Sequence, residues 1–229
     1  MGKYWKYFKY ILEHKKNVFH ECIERKMYLH AFTHDLSKFS PLEFFAYADN
    51  FYGEKDCSKC ENYLECDMNK IGLGSGPWAR ECKDYKDKYF DNAWEHHQLR
   101  NKHHWNYWTY DLDKYYDNPG FRLKDCKLET PREMPDKYIL QMICDWTAMG
   151  VKFNNTPQEY YLRNYNKIEL NDYTRLKLEF QLDINDSMIC NYGHTLKQFK
   201  DKYTEEEYNR IIGNELYEKY GIDTYNTIE

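Results

Sequence analysis

The chain has 229 residues, of which 18% are aromatic, and a formal net charge of -5 at pH 7. This length fits one sizeable core, so we predict a single domain over residues 1–229. The negative charge argues against an extended nucleic-acid-binding surface, since phosphate backbones are bound by an excess of Lys and Arg. No run of about 18 apolar residues or secretory signal is evident, so we expect a cytoplasmic protein without a membrane partner. The sequence leaves open whether the protein forms an oligomer.

Helical periodicity begins with the first residues. Residues 3–28 place apolar or aromatic side chains at the spacing of one buried helix face, namely at Tyr4, Tyr7, Phe8, Ile11, Val18 and Cys22. A second helix should begin with Ser40 as the N-cap, Pro41 at the first position and Glu43 as the reciprocal acid. We predict that this helix ends at Gly53.

The region 54–83 has a different character and is predicted to be a small Cys-rich insertion. Its four cysteines are Cys57, Cys60, Cys66 and Cys82. Four thiolates suit a structural zinc ion, and free thiols, a redox disulfide or an iron–sulfur centre are the alternatives. The remaining cysteines are interpreted as small buried residues; they are Cys22, Cys126, Cys144 and Cys190.

Helix starts also mark the second half of the chain. Pro135 begins a segment that should stop at Gly150, and Thr156 with Glu159 opens another helix. Thr204 with Glu207 opens one more, while residues 175–183 fit a helix as well as a strand. We therefore predict an all-α protein with eight or nine helices and little sheet.

Several histidines and aspartates lie among apolar neighbours, where a polar side chain needs a partner or a metal. His14 shares the buried stripe of the first helix, whereas His20 points nearly the opposite way. His34 and Asp35 are adjacent, so that both can reach one ion from the end of a helix. His20, His30 and His194 are interpreted as ordinary histidines.

More polar residues of this kind follow. His97 shares a face with Phe90 and Trp94, and Asp145 flanks a buried row of apolar residues. The pair His103-His104 follows a predicted break between two helices at Asn101-Lys102. These side chains are all predicted to point inward.

The order His, His-Asp, His, His, Asp resembles that of the HD-domain metal-dependent phosphohydrolase superfamily. The segment LHAFTHDLSK at residues 29–38 resembles its central signature. The combination of HDLSKF, AWEHH, NKHHWNYW and CDWTAM is similar to an uncharacterised, often phage-encoded branch of unknown function. The resemblance covers about residues 5–180 and implies an HD-domain-like helical bundle.

The resemblance also implies a set of metal ligands. One ion would be bound by four residues, His14, His34, Asp35 and Asp145. A second ion would be bound by His97 with His103 or His104, and the doublet leaves open which of the two is the ligand. Mixed nitrogen and oxygen ligands favour one or two ions of Mn, Fe, Co, Ni or Zn.

The function implied is hydrolysis of a nucleotide or another small phosphate ester. Asp35 would take the proton of bound water, and Lys38 would contact the phosphate or support the site. Arg100, Lys167 and Arg175 are candidate phosphate-binding residues on the basis of charge alone. Two alternatives are an HD-fold di-iron oxygenase and a non-catalytic protein that binds metal or a nucleotide.

Overall fold

The computed structural model describes residues 2–54, 57–60, 87–118, 120–184 and 188. Within these residues the protein is all-α, as predicted, with eight α-helices and four short 3-10 helices. The α-helices are α1 (Lys3–Glu24), α2 (Tyr28–Thr33), α3 (Pro41–Tyr52), α4 (Lys88–Arg100), α5 (Leu112–Asp117), α6 (Asp136–Phe153), α7 (Pro157–Arg163) and α8 (Asp172–Gln181). The 3-10 helices are Leu36–Phe39, Cys57–Lys59, Trp105–Thr109 and Leu123–Cys126.

Extended pairing in the described residues is limited to two isolated bridges, Cys60 with Asp87 and Tyr110 with Lys127. None of the described helices is both long and apolar enough to cross a membrane. The predicted helix start at Thr204 and Glu207, and most of the 54–83 insertion, lie outside the described residues.

The chain divides into two compact units, Met1–Asn101 and Lys102–Glu229. The prediction of one domain over residues 1–229 stays a prediction. In the first unit α1 packs against α2 and α3, and α3 packs against α4. The core between them is built on Tyr7, Ile11, Tyr47, Ala48 and Ala93.

The predicted buried face of α1 is largely confirmed. Tyr7, Ile11, Val18 and Cys22 are buried, although Tyr4 at the start of the helix is exposed. The helix ends at Glu24, four residues before the predicted end, and Lys26 just beyond it has a left-handed backbone with φ 58. Such a conformation cannot continue an α-helix.

The start of α3 is confirmed at Ser40, whose side chain accepts a hydrogen bond from the backbone N–H of Glu43, and the helix ends before Gly53 as predicted. The predicted reciprocal contact from Glu43 to the cap is wrong. Its carboxylate accepts hydrogen bonds from the side chains of His96, His97 and Ser37 instead.

In the second unit, α6 packs against α7 and α8. The predicted stop at Gly150 is wrong, since α6 continues to Phe153 and ends where Asn154 takes a left-handed backbone. The capping box of Thr156 and Glu159 on α7 is confirmed. Residues 175–183, which fitted a helix or a strand, begin inside α8 and end just beyond it.

Candidate metal centre in the first unit

The turn after α2 brings two adjacent polar side chains to the same place. His34 has an extended backbone with φ -53 and ψ 127, and Asp35 has a left-handed backbone with φ 53 and ψ 30. Asp is one of the few residues with a side chain that tolerates this conformation. The reversal ends α2 and starts the next 3-10 helix, and both side chains are left only 1% exposed.

His14 on α1 meets this pair, as its position on the buried stripe predicted. The Nε2 atoms of His14 and His34 are 3.2 Å apart, and His34 Nε2 is 3.3 Å from Asp35 Oδ2. The third distance, from His14 Nε2 to Asp35 Oδ2, is 3.8 Å. All three ligand atoms lie within 4.8 Å of one another.

These spacings fit a single metal ion. Ligands held at about 2.1 Å from a tetrahedral or octahedral ion lie roughly 3.0–3.4 Å apart. Two of the three observed spacings fall in that range, and the third is slightly wider. A metal ion between these buried imidazole and carboxylate groups would offset part of the cost of taking them out of water. The cluster can therefore hold a metal ion.

The second oxygen of Asp35 faces a different histidine. Asp35 Oδ1 lies 3.4 Å from Nε2 of His97, which α4 carries into the interior of the unit. Of the doublet His96-His97, it is thus His97 that faces Asp35. Its role as a metal ligand stays a prediction. The carboxylate of Asp35 presents Oδ2 to His14 and His34 and Oδ1 to His97.

Two lysines place positive charge beside the cluster. Lys38 Nζ lies 2.5 Å from Asp35 Oδ2, and Lys15 Nζ donates to the backbone oxygen of His34 at 2.6 Å. Burial lowers the pKa of Lys15, and the neighbouring charge of Lys38 lowers it further, although the carboxylate of Asp35 opposes this. His30 Nε2 lies 3.2 Å from His34 Nδ1, so this histidine contacts the cluster, although it was interpreted as an ordinary histidine.

Glu43 is the residue of the centre that sequence reasoning missed. One oxygen, Oε1, lies 2.8 Å from His96 Nδ1, and the other, Oε2, lies 2.9 Å from His97 Nδ1. Burial alone would raise its pKa, but hydrogen bonds from His97, His96 and Ser37 outweigh burial and hold the pKa of Glu43 below its usual value. The available signal was its position four residues before Tyr47 on the buried face of α3.

The remaining predicted ligands belong to the second unit. Asp145 is buried on α6, where its charge adds to burial in raising the pKa of Tyr160. His103 is buried and His104 is half-buried, and their ring centroids are 4.4 Å apart. Their assignment as metal ligands stays a prediction.

The predicted phosphate-binding residues differ in their surroundings. Arg100 and Lys167 are exposed. Arg175 is buried, and its guanidinium donates to the hydroxyl of Tyr161 at 2.7 Å and to the backbone oxygen of Ile168 at 2.6 Å. These contacts give Arg175 a packing role in the second unit, and its role in substrate binding stays a prediction.

The zinc prediction falls mostly outside the described residues, because Cys66 and Cys82 are not among them. Cys60 is buried and its backbone pairs with Asp87. Three of the four cysteines predicted to be small buried residues, Cys22, Cys126 and Cys144, are buried, and Cys190 lies outside the described residues.

The described residues define a helical protein whose first unit holds a buried His/Asp cluster of metal-binding geometry. The chain belongs to the family of unknown function DUF5662, whose model matches residues 3–184. That match covers nearly all of the first unit and the second unit as far as residue 184, and it includes every predicted His and Asp ligand. A search of curated proteins and a search of solved structures gave no match.

Proposed function

We propose that this protein is a metal-dependent phosphohydrolase that acts on a nucleotide or another small phosphate ester. The observation that carries the proposal is the convergence of His14, His34 and Asp35 ligand atoms within 4.8 Å in a buried cluster. The order of these residues in the sequence, which resembles that of the HD-domain phosphohydrolases, supports the reaction class.

The donor set is one that a divalent transition metal prefers, because it mixes imidazole nitrogen with carboxylate oxygen. An ion bound there would lower the pKa of a water ligand and neutralise charge on a phosphoryl group. Asp35 would bind metal through its carboxylate oxygens and would accept a proton from the attacking water. Lys38, whose ammonium lies beside Asp35 Oδ2, supplies positive charge for a phosphoryl oxygen.

A second ion would be held on the other side of Asp35, by Oδ1 and by His97 Nε2. The resemblance to HD-domain proteins assigns Asp145 to the first ion and one residue of the pair His103-His104 to the second, and both assignments rest on the order of residues along the chain. A second ion held there would supply further positive charge for an in-line displacement at phosphorus.

Metal analysis of the purified protein, coupled to a screen of phosphomonoesters, nucleotides and cyclic nucleotides with each candidate metal, tests the proposal. We expect metal-dependent release of phosphate or cleavage of a phosphodiester, and a loss of about 100-fold or more in His97→Ala. His20→Ala is the matched control, because His20 is an exposed histidine on α1, away from the buried stripe that carries His14; its activity should stay within several-fold of the wild type.

Three outcomes would contradict the proposal. Full turnover after His34→Ala would place the chemistry elsewhere, while oxygen uptake with bound di-iron and no hydrolysis would favour an oxygenase. Ligand binding without turnover under any metal would favour a non-catalytic binding protein.

A further inference from the structure

We propose that Glu43 is a positioning residue of the metal centre, which fixes the tautomer of His97 so that its Nε2 lone pair faces Asp35. The inference deepens the proposed function and rests on its metal centre. Glu43 is fully buried on α3, a helix whose N-terminus is already capped by Ser40, so its carboxylate is not needed to start the helix. A buried carboxylate is costly unless its oxygens are bound by donors.

The hydrogen bonds around His97 Nδ1 determine which ring nitrogen carries the proton. Three polar atoms lie close to Nδ1: Glu43 Oε2 at 2.9 Å, Ser37 Oγ at 3.1 Å and Asn101 Nδ2 at 3.1 Å. The ionised carboxylate can only accept a hydrogen bond, so Nδ1 must donate to it.

The other two neighbours agree with this assignment. Asn101 Nδ2 has two hydrogens, and it donates them to Ser37 Oγ at 3.1 Å and to the backbone oxygen of His97 at 2.8 Å. Ser37 Oγ donates its hydrogen to Glu43 Oε2 at 3.0 Å. Neither group has a hydrogen left for Nδ1, so Nδ1 carries a proton. In the neutral imidazole, Nε2 is then the nitrogen with the lone pair, and it faces Asp35 Oδ1.

This arrangement is the one a metal ligand requires. A histidine binds a metal through a nitrogen that carries no proton, and a carboxylate on the other nitrogen fixes the ring and raises its basicity. Oε1 of Glu43 lies 2.8 Å from His96 Nδ1, which anchors the carboxylate from its other side. Glu43 thus acts through His97 and is not itself placed against a reacting group.

The sharpest change is Glu43→Gln, which keeps the length of the side chain and replaces one acceptor oxygen by an amide donor. When the NH2 of the new amide faces Nδ1, Nδ1 must accept its hydrogen bond, so the proton of His97 moves to Nε2. That nitrogen can then no longer bind a metal. Glu95→Gln is the matched control, because Glu95 is a half-buried carboxyl on α4 whose pKa is raised by burial alone.

The measurements are titration of the metal-free full chain with Co²⁺, followed by its visible spectrum, and ¹⁵N spectra of its labelled histidines. His97→Ala should abolish binding of one equivalent of Co²⁺. We expect Glu43→Gln to lower the affinity for that same equivalent by about 10–100-fold, and Glu95→Gln to leave the affinity unchanged. In the double variant, Glu43→Gln should cause no further loss of Co²⁺ binding beyond that caused by His97→Ala. The wild-type ¹⁵N spectrum should show His97 with its proton on Nδ1.

Wild-type Co²⁺ affinity in Glu43→Gln, or additive losses in the double variant, would overturn the inference. If Glu43→Gln fails to fold, the wild-type spectrum decides alone, and a proton on Nε2 of His97 overturns the inference. Loss of Co²⁺ binding in Glu43→Gln by a protein that hydrolyses no phosphate ester would keep this inference and remove the proposed function. Hydrolysis that is lost in His97→Ala but unchanged in Glu43→Gln would support the proposed function and overturn this inference.

Discussion

Asp35 has two tasks that few other residues can combine. Its left-handed backbone reverses the chain directly after His34, and its side chain presents one oxygen to His14 and His34 and the other to His97. A left-handed backbone costs most residues about 1–2 kcal/mol, whereas Asp and Asn tolerate it. The backbone task and the ligand task can therefore be separated by choosing the substitution.

We expect Asp35→Asn to lose the metal while it keeps the fold, because Asn tolerates the same backbone but lacks the negative charge. Asp35→Ala should also lose the metal, and its metal-free form should be less stable than metal-free Asp35→Asn by about 1 kcal/mol. Metal analysis and denaturant unfolding of the metal-free proteins check both statements. Equal stability of the two variants would show that the left-handed backbone carries no cost here, and a full metal content in Asp35→Ala would exclude Asp35 as a ligand.

At this scale the sequence predicts which polar side chains point inward better than it predicts the hydrogen-bond partners of those side chains. His14 was predicted from its spacing to Ile11 and Val18, which fixes its direction on a single helix. Glu43 was misassigned because an acid three residues after Ser40 satisfies the local capping pattern equally well. Its actual partners, His96 and His97, lie on another helix, and only the packing of α3 against α4 brings them within reach.

Helices are the elements that carry the centre, and their starts were easier to predict than their ends. Ser40 and Thr156 cap the helices they were predicted to cap, because the N-cap bond is local to the sequence. Gly150 was predicted as a stop, yet α6 runs past it to Phe153. The glycine has another role: a Cβ at this position would lie 2.3 Å from the backbone oxygen of Asn155, where the chain turns back against the helix.

Gly150→Ala should therefore destabilise the protein, because the clash is with backbone and no side chain can move aside to relieve it. We expect a loss of about 1–3 kcal/mol in the free energy of unfolding, the range of an overpacked site. Gly120→Ala is the control, since a Cβ there meets no atom within 4 Å, and its effect should stay within about 0.5 kcal/mol. Thermal and denaturant unfolding of the three proteins give the comparison, and equal stability of the two variants would contradict the close approach.

Over the whole molecule, the centre joins parts of the first unit that are far apart in the sequence. His14 lies on α1, His34 and Asp35 follow α2, and His97 lies on α4. The residue types and their order were visible in the sequence, but the distances between them depend on how these helices pack. An ion held by all of these elements binds the folded unit and not the unfolded chain, so metal binding and folding are linked.

Removal of the metal should lower the thermal stability of the protein, and adding Mn²⁺ or Co²⁺ should restore it in a concentration-dependent way. A ligand present at 100 times its dissociation constant stabilises the folded state by about 2.7 kcal/mol. Calorimetric scans of the chelator-treated and metal-supplemented protein measure this shift. Asp35→Asn should show none of it, whereas a variant with both Cys57→Ser and Cys60→Ser should retain it, which separates the His/Asp centre from a cysteine-bound zinc. A metal-dependent shift of the same size in Asp35→Asn would show that the stabilising ion binds at another site.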